Sequence, residues 1–119
     1  MSSKILVVED NESAREMLCE FLRSNGFKVV HADNGMAGYD KAKDERPDLI
    51  ITDLCMPILD GIDMIKLIRN HSDFDKVPIL ALTAFKGEMA TQAIKAGADR
   101  ALQKPIDFDY FVNAIEHLV

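Results

Sequence analysis

Polar side chains able to do chemistry together stand at the ends of short apolar runs in this sequence. In chain order they are Glu9 and Asp10, then Asp53, then Thr83, then Lys104. A single carboxylate in such a place is most often a helix cap or part of a solvated turn. Because these residues follow four of the apolar runs, their joint occurrence favours one shared site.

The charges of these residues indicate the chemistry. Three crowded carboxylates repel one another and raise their pKa values unless a cation lies among them. Mg²⁺ prefers oxygen ligands and typically takes one or two carboxylates, several waters and a phosphate oxygen. Glu9, Asp10 and Asp53 together with Mg²⁺ and Lys104 carry no net charge, so such a site can receive a phosphoryl group.

The apolar runs predict the strands that position these residues. Three runs are continuous rather than alternating, which is typical of central strands in a parallel sheet covered on both faces. Segments with helical spacing lie between the runs, and Asn11, Asp60 and Asp107 are predicted to begin three of them. The predicted strands are Ile5–Val8, Lys28–Val30, Leu49–Ile51, Ile79–Leu82 and, more weakly, Ala101–Leu102. Apolar stripes expected to face the core include Ala14, Met17, Leu18, Phe21 and Leu22, then Met89, Ala93 and Ile94, then Phe108, Phe111, Val112, Ile115 and Leu118.

Strands that alternate with helices predict an α/β fold, a three-layer αβα sandwich around a five-stranded parallel sheet. We expect the strand order 2-1-3-4-5, in which ligands bind outside the carboxyl ends of the strands where the order reverses. That point lies between the first and third strands. Glu9, Asp10 and Asp53 are therefore expected to meet there, with Thr83 and Lys104 on the far side.

Length and composition limit the function further. The 119 residues, 48% hydrophobic and 29% charged, predict one globular domain over residues 1–119. A net charge of −6 without a basic cluster argues against direct nucleic-acid binding. No apolar run approaches the ~20 residues of a membrane span, so no membrane association is expected. Two cysteines, Cys19 and Cys55, cannot form a disulfide framework, which favours a cytoplasmic location.

Five short segments carry a family resemblance. They are Val7-Val8-Glu9-Asp10-Asn11, Asp53-Leu54-Cys55-Met56-Pro57-Ile58-Leu59-Asp60-Gly61, Leu82-Thr83-Ala84, Gly97-Ala98-Asp99 and Lys104-Pro105. In combination they resemble the receiver domain of bacterial two-component response regulators, the CheY-like family. The resemblance covers the chain from Lys4 to Val119.

This resemblance implies a phosphorylation-activated signalling domain. Asp53 would accept a phosphoryl group from a phosphohistidine on a sensor histidine kinase or a phosphotransfer protein. Glu9 and Asp10 would bind Mg²⁺ together with the Asp53 carboxylate and the backbone carbonyl of Cys55. The domain would assist its own phosphorylation and its slow dephosphorylation, but it would not be a turnover enzyme.

The resemblance also implies how the site responds to phosphorylation. Thr83 matches the switch hydroxyl of the family, and Lys104 matches the lysine that pairs with the phosphoryl group. The backbone N–H of Ala84 is expected to donate to that group. The bond between Lys104 and Pro105 is expected to be cis.

One position departs from the family's pattern. Ala101 stands where the family usually has a tyrosine or phenylalanine that swings inward when the threonine moves. A downstream protein partner is therefore expected to bind the surface of the fourth helix and fifth strand without a switching ring. Cys55 and Phe85 are expected to flank the acceptor, at positions that tend to set the hydrolysis rate of the aspartyl phosphate in such domains.

Other interpretations stay open at this point. The chain is either a stand-alone receiver or a receiver module from a longer response regulator or hybrid kinase. A Mg²⁺-dependent phosphohydrolase with Asp53 as nucleophile is a weaker alternative, because Cys55 stands where a second acid or base is needed and no cap domain is seen. The intact set of site residues disfavours a receiver that works without phosphorylation, and the acidic crevice disfavours a flavin-binding domain.

Overall fold

A computed structural model of the chain describes residues 3–84 and 87–119. Its five strands are all parallel and lie in the order β2-β1-β3-β4-β5, which confirms the predicted order. The strand order therefore reverses between β1 and β3, at the place the sequence predicts. The strands are β1 (Lys4–Val8), β2 (Lys28–Ala32), β3 (Leu49–Asp53), β4 (Ile79–Thr83) and β5 (Arg100–Gln103).

Helices cover both faces of the sheet and complete the predicted three-layer sandwich. The helices α1 and α5 pack on one face, and α2, α3 and α4 pack on the other. A short 3₁₀ helix at Ser72–Phe74, which the sequence patterns did not predict, precedes β4. The helices are α1 (Glu12–Ser24), α2 (Gly35–Glu45), α3 (Gly61–Arg69), α4 (Glu88–Ala96) and α5 (Phe108–Leu118).

The central strands β1, β3 and β4 are buried along almost their whole length, which explains their unbroken apolar sequence. Successive side chains point to opposite faces of the sheet. Leu6 and Val8 belong to the cluster under α2, α3 and α4, whereas Ile5 and Val7 belong to the cluster under α1 and α5. Both faces of the sheet are thus sealed by apolar contacts.

Side-chain caps begin the helices where the sequence predicts them. Asn11, Asp60 and Asp107 accept hydrogen bonds from backbone N–H groups in the first turns of α1, α3 and α5. In α2, Gly38 lies where an added Cβ would come within 2.9 Å of Val8. That glycine lets α2 pack closely against β1. The helix α4 begins at Glu88, and Gly87 before it provides no side-chain cap.

Three residues of the predicted apolar stripes lie at the surface, so the stripes were wrong there. Met17 is 55% exposed, Ile94 is 47% exposed and Phe108 is 38% exposed. In α1 the buried residues are Leu18, Cys19 and Leu22. Since each helical residue turns by about 100°, Met17 falls outside the narrow face that these three residues present to the sheet.

In the described parts of the chain, no helix combines the length and the apolar character needed to span a membrane.

Candidate phosphoryl and metal site

The carboxyl ends of β1 and β3 bring three carboxylates together. Oxygen atoms of Glu9, Asp10 and Asp53 all lie within 4.8 Å of one another. Glu9 is only 2% exposed and Asp53 only 8% exposed, whereas Asp10 lies open to solvent. These carboxylates meet because β1 and β3 are neighbouring parallel strands, whose carboxyl ends lie at the same edge of the sheet.

Lys104 approaches this cluster from the end of β5. Its Nζ atom lies 3.2 Å from Glu9 Oε1 and 3.3 Å from Asp53 Oδ2, so the ammonium bridges two buried carboxylates. The Lys104 backbone N–H donates to the Thr83 carbonyl over 2.8 Å and so ties the end of β5 to the end of β4. The bond between Lys104 and Pro105 is cis, as the resemblance implies.

The backbone of Glu9 is fixed from two sides. Its N–H donates to the Ala32 carbonyl over 3.1 Å, and its carbonyl accepts from Arg15 Nη1 at 3.0 Å. The Asn11 N–H donates to Glu9 Oε2 over 3.3 Å. Arg15 was not predicted to belong to the site. Its one signal in the sequence is a basic side chain one turn into the helix that follows the acidic pair.

Burial and like charge govern the protonation of Glu9. Burial, followed by the negative charge of Asp53, raises the pKa of Glu9 from 4.5 to about 7, even though Lys104 acts in the opposite direction. For Lys104, burial lowers the pKa, but attraction to Asp53 and Glu9 outweighs it, so the net pKa is raised. The lysine is therefore a stable positive charge beside the acidic cluster.

The donor set fits a hard divalent cation. Three carboxylates with one lysine leave an excess of negative charge, and oxygen ligands suit Mg²⁺. Within the described residues, Glu9, Asp10 and Asp53 are the one group of histidine, cysteine or acidic side chains whose ligand atoms approach so closely. The predicted fourth ligand, the Cys55 carbonyl, stands two residues after Asp53.

The loop that carries Cys55 is closed at its base. The Gly61 N–H donates to the Leu54 carbonyl over 3.0 Å, and the Cys55 N–H donates to Asp53 Oδ1 over 3.4 Å. A Cβ at Gly61 would overlap the Asp53 carbonyl oxygen, so this position requires glycine. The loop thus closes directly after Asp53, and the Cys55 N–H contacts the Asp53 carboxylate. At its tip, Ile58 has φ +71° and is 81% exposed.

The remaining predicted residues lie on the β4 and β5 side of the site. Thr83 is buried at the end of β4 and pairs with Gln103 across the sheet, and Ala84 beyond it is exposed. Ala101 is half-buried opposite Ala81 and packs against the cluster under α4. The proposed flanking residue Phe85 lies outside the described residues.

An apolar hollow of about 310 Å³ opens beside the acidic cluster. Glu9 and Lys104 line it together with Met17 from α1 and Phe108 from α5. Both apolar residues belong to stripes that were predicted to face the core. Their exposure at one place, next to charged site residues, is a signal that only the folded arrangement reveals.

Comparisons with known proteins agree with this geometry. A sequence model of the family described as "response regulator receiver domain" matches residues 5–116. The polar-differentiation response regulator DivK of Brucella anthropi is 28% identical over 117 residues, which cover 98% of this chain and 95% of DivK.

Solved structures show the same fold over the whole chain. The chemotaxis protein CheY4 of Vibrio cholerae has a TM-score of 0.93 and 31% identity, with 100% of both chains covered. The receiver domain of the sensor histidine kinase PA1611 from Pseudomonas aeruginosa has a TM-score of 0.90 and 30% identity, with 99% of this chain and 98% of that one covered. In that structure a magnesium ion is coordinated in the active-site cleft.

Proposed function

Because the chain belongs to the response regulator receiver domain family of two-component signalling, we propose that Asp53 accepts a phosphoryl group in a Mg²⁺-dependent reaction. The donor is a phosphohistidine on a sensor histidine kinase or a phosphotransfer protein. The observation that carries this proposal is the Asp53 carboxylate, which contacts Lys104 and lies within 4.8 Å of Glu9 and Asp10.

In the transfer, a carboxylate oxygen of Asp53 forms a bond to phosphorus while the phosphorus–nitrogen bond of the phosphohistidine breaks. The bonding electron pair stays on the imidazole nitrogen of the donor. Lys104, already beside Asp53 Oδ2, offsets the negative charge that the incoming group brings. Glu9, Asp10, Asp53 and the Cys55 carbonyl would hold Mg²⁺, which when bound neutralises charge on the phosphoryl oxygens.

The donor protein is proposed to seat an apolar side chain in the hollow beside the site. Met17 and Phe108 are exposed there although they belong to otherwise buried stripes. Exposed apolar groups that adjoin a reactive site are typical of interaction surfaces. A partner bound there lies next to Glu9 and Lys104, which is where the phosphohistidine must arrive.

Phosphorylation is proposed to act through Thr83 and Ala84. A phosphoryl group on Asp53 attracts the Thr83 hydroxyl and the Ala84 N–H, because charged acceptors strengthen hydrogen bonds. The adjoining helix α4 follows Gly87 and has no side-chain cap, so its first turn is weakly held. A downstream partner then binds α4 and β5, and Ala101 provides no ring to fill the space that Thr83 leaves.

The proposed role is that of a switch rather than a turnover enzyme, in a cytoplasmic setting and with proteins as partners. The net charge of −6 does not favour nucleic-acid or anionic membrane surfaces. The acceptor should be modified once and should lose its phosphoryl group slowly. It should not release phosphate repeatedly from small phosphate esters.

Intact-mass measurement after incubation with acetyl phosphate and Mg²⁺ tests this function. We expect one added phosphoryl group in the wild-type chain and in Asp75→Asn, an exposed aspartate away from the site. Asp53→Asn should remain unmodified. Label that persists in Asp53→Asn would overturn the assignment, and continuous phosphate release from sugar phosphates would favour a phosphohydrolase.

A further inference from the structure

A second surface, separate from the phosphoryl site, lies between α3 and α4. An open groove of about 660 Å³ runs there, and a smaller hollow of about 240 Å³ continues it. Both are lined by Lys66, Lys95 and Ala96, so they form one feature. We name this feature the α3–α4 groove.

The α3–α4 groove combines apolar contacts with two free cations. Leu59 and Leu67 line it, and Leu67 is 36% exposed. Lys66 comes from α3 and Lys95 from α4, and both are exposed. Neither lysine's ammonium group forms an ion pair or hydrogen bond with any residue that the structure describes. Long lysine stems can lie along apolar surface while their ammonium groups stay at the rim.

The other charged groups of the groove do not cancel this pair. Arg69 is occupied, because it donates to the Gly97 carbonyl over 2.9 Å, to the Phe74 carbonyl over 2.7 Å and to Asp99 over 3.0 Å. Asp63 at the start of α3 is the one acidic side chain among the groove's lining residues. The two lysines therefore leave a net positive groove on a chain whose total charge is −6.

We propose that the α3–α4 groove binds an acidic, amphipathic segment of a partner protein. The nine residues of α3 make a groove of about 13 Å, which accommodates about four residues of extended chain. In such a segment alternate side chains face opposite ways, so apolar ones can contact Leu67 while acidic ones meet the lysines at the rim. This proposal goes beyond phosphorylation, because neither lysine belongs to the phosphoryl site.

An NMR titration tests the proposal with a defined probe. The probe is a blocked pentapeptide in which glutamate and leucine alternate, and its counterpart has lysine in place of glutamate. We expect the acidic peptide to shift backbone amides at residues 62–70 and 92–97 in the intact, labelled chain. The lysine counterpart should leave them unchanged. Shifts spread over the surface, or equal binding of both peptides, would overturn the proposal.

Charge reversal supplies the matched comparison. Lys66→Glu with Lys95→Glu should weaken binding of the acidic peptide by about tenfold or more, because like charges now face each other. Lys28→Glu with Lys76→Glu makes the same change in net charge at exposed lysines outside the groove and should retain binding. Equal weakening by both pairs would show a general charge effect and refute a specific site.

The same variants distinguish a partner segment from a second copy of this chain in the groove. They also distinguish failure of this proposal from failure of the proposed phosphoryl function. Sedimentation of the chain alone should show a monomer at the concentrations used. A dimer that the Lys66→Glu and Lys95→Glu changes abolish would replace the partner segment with a second copy of this chain. Modification of Asp53 by acetyl phosphate should be unaffected in these variants, so failure of either proposal is visible without the other.

Discussion

Replacing Glu9 by glutamine should remove the pH dependence that this residue gives to the free energy of unfolding. Its pKa rises from 4.5 in the unfolded chain to about 7 in the folded one, chiefly because it is buried and lies beside Asp53. Below pH 4.5 both states keep the proton, and its stabilising contribution is complete. Between pH 4.5 and 7 only the unfolded chain releases it, so the free energy of unfolding falls as pH rises.

The size of the effect follows from that shift. Each pKa unit corresponds to about 1.4 kcal/mol, so ionisation of Glu9 removes about 3 kcal/mol of stability by pH 8 in the absence of Mg²⁺. The side chain is 2% exposed, so solvent screening does little to reduce this value. Glu9→Gln keeps an oxygen to accept from Lys104 but cannot ionise. The variant should therefore gain about 3 kcal/mol relative to wild type between pH 4.5 and 8.

Urea unfolding followed by circular dichroism measures the difference, since the chain has no tryptophan. The experiment is run in EDTA from pH 4.5 to 8, with Glu116→Gln as a control at an exposed position on α5. That control should track wild type. Stability curves for Glu9→Gln and wild type that stay parallel within about 1 kcal/mol would refute the reasoning. Saturating Mg²⁺ should remove the advantage of Glu9→Gln, because ligand binding stabilises the chain that retains the carboxylate.

Three further predictions concern the metal, the loop and the switch. Asp10→Asn should weaken Mg²⁺ binding, as measured by calorimetry. The metal-free variant should be as stable as wild type or more so, because the substitution relieves repulsion among the carboxylates. An unstable variant with normal Mg²⁺ affinity would show that Asp10 is only structural. Ile58→Asn should raise the free energy of unfolding by about 1 kcal/mol, because it removes a branched side chain from φ +71°; a loss of stability would contradict this. With a beryllofluoride phosphoryl mimic, amide shifts should change at Ala84 and from Gly87 to Ala90, and changes confined to the acidic residues would show that the switch works otherwise.

The sequence predicts the sheet and the acidic cluster well because both depend on local signals. Continuous apolar runs identify β1, β3 and β4, and the polar residue after each run is placed by the strand that precedes it. Parallel order then brings Glu9 and Asp53 together without any further information. Caps such as Asn11 are equally local, since donor and acceptor lie three residues apart.

Features set by contacts between distant segments could not be predicted in this way. Arg69 joins α3 to the end of α4 across 28 residues, and its type and spacing give no sign of those partners. Met17 and Phe108 fit a buried stripe by period, yet the angle at which each helix packs leaves both exposed beside Lys104. The α3–α4 groove depends in the same way on how two helices lie against each other.

Because the loop after Asp53 is closed at its base, selection can act separately on the position of Asp53 and on the side chains at the loop's tip. The hydrogen bond between Leu54 and Gly61 fixes the base of the loop next to Asp53, while Cys55 and Ile58 between them are exposed. Substitutions at the tip can therefore diversify among descendants without displacing Asp53, whereas close packing bars change at Gly61. A library randomised at positions 55 and 58 would for this reason yield many folded variants, whose phosphoryl lifetimes could evolve independently of the sheet that holds them.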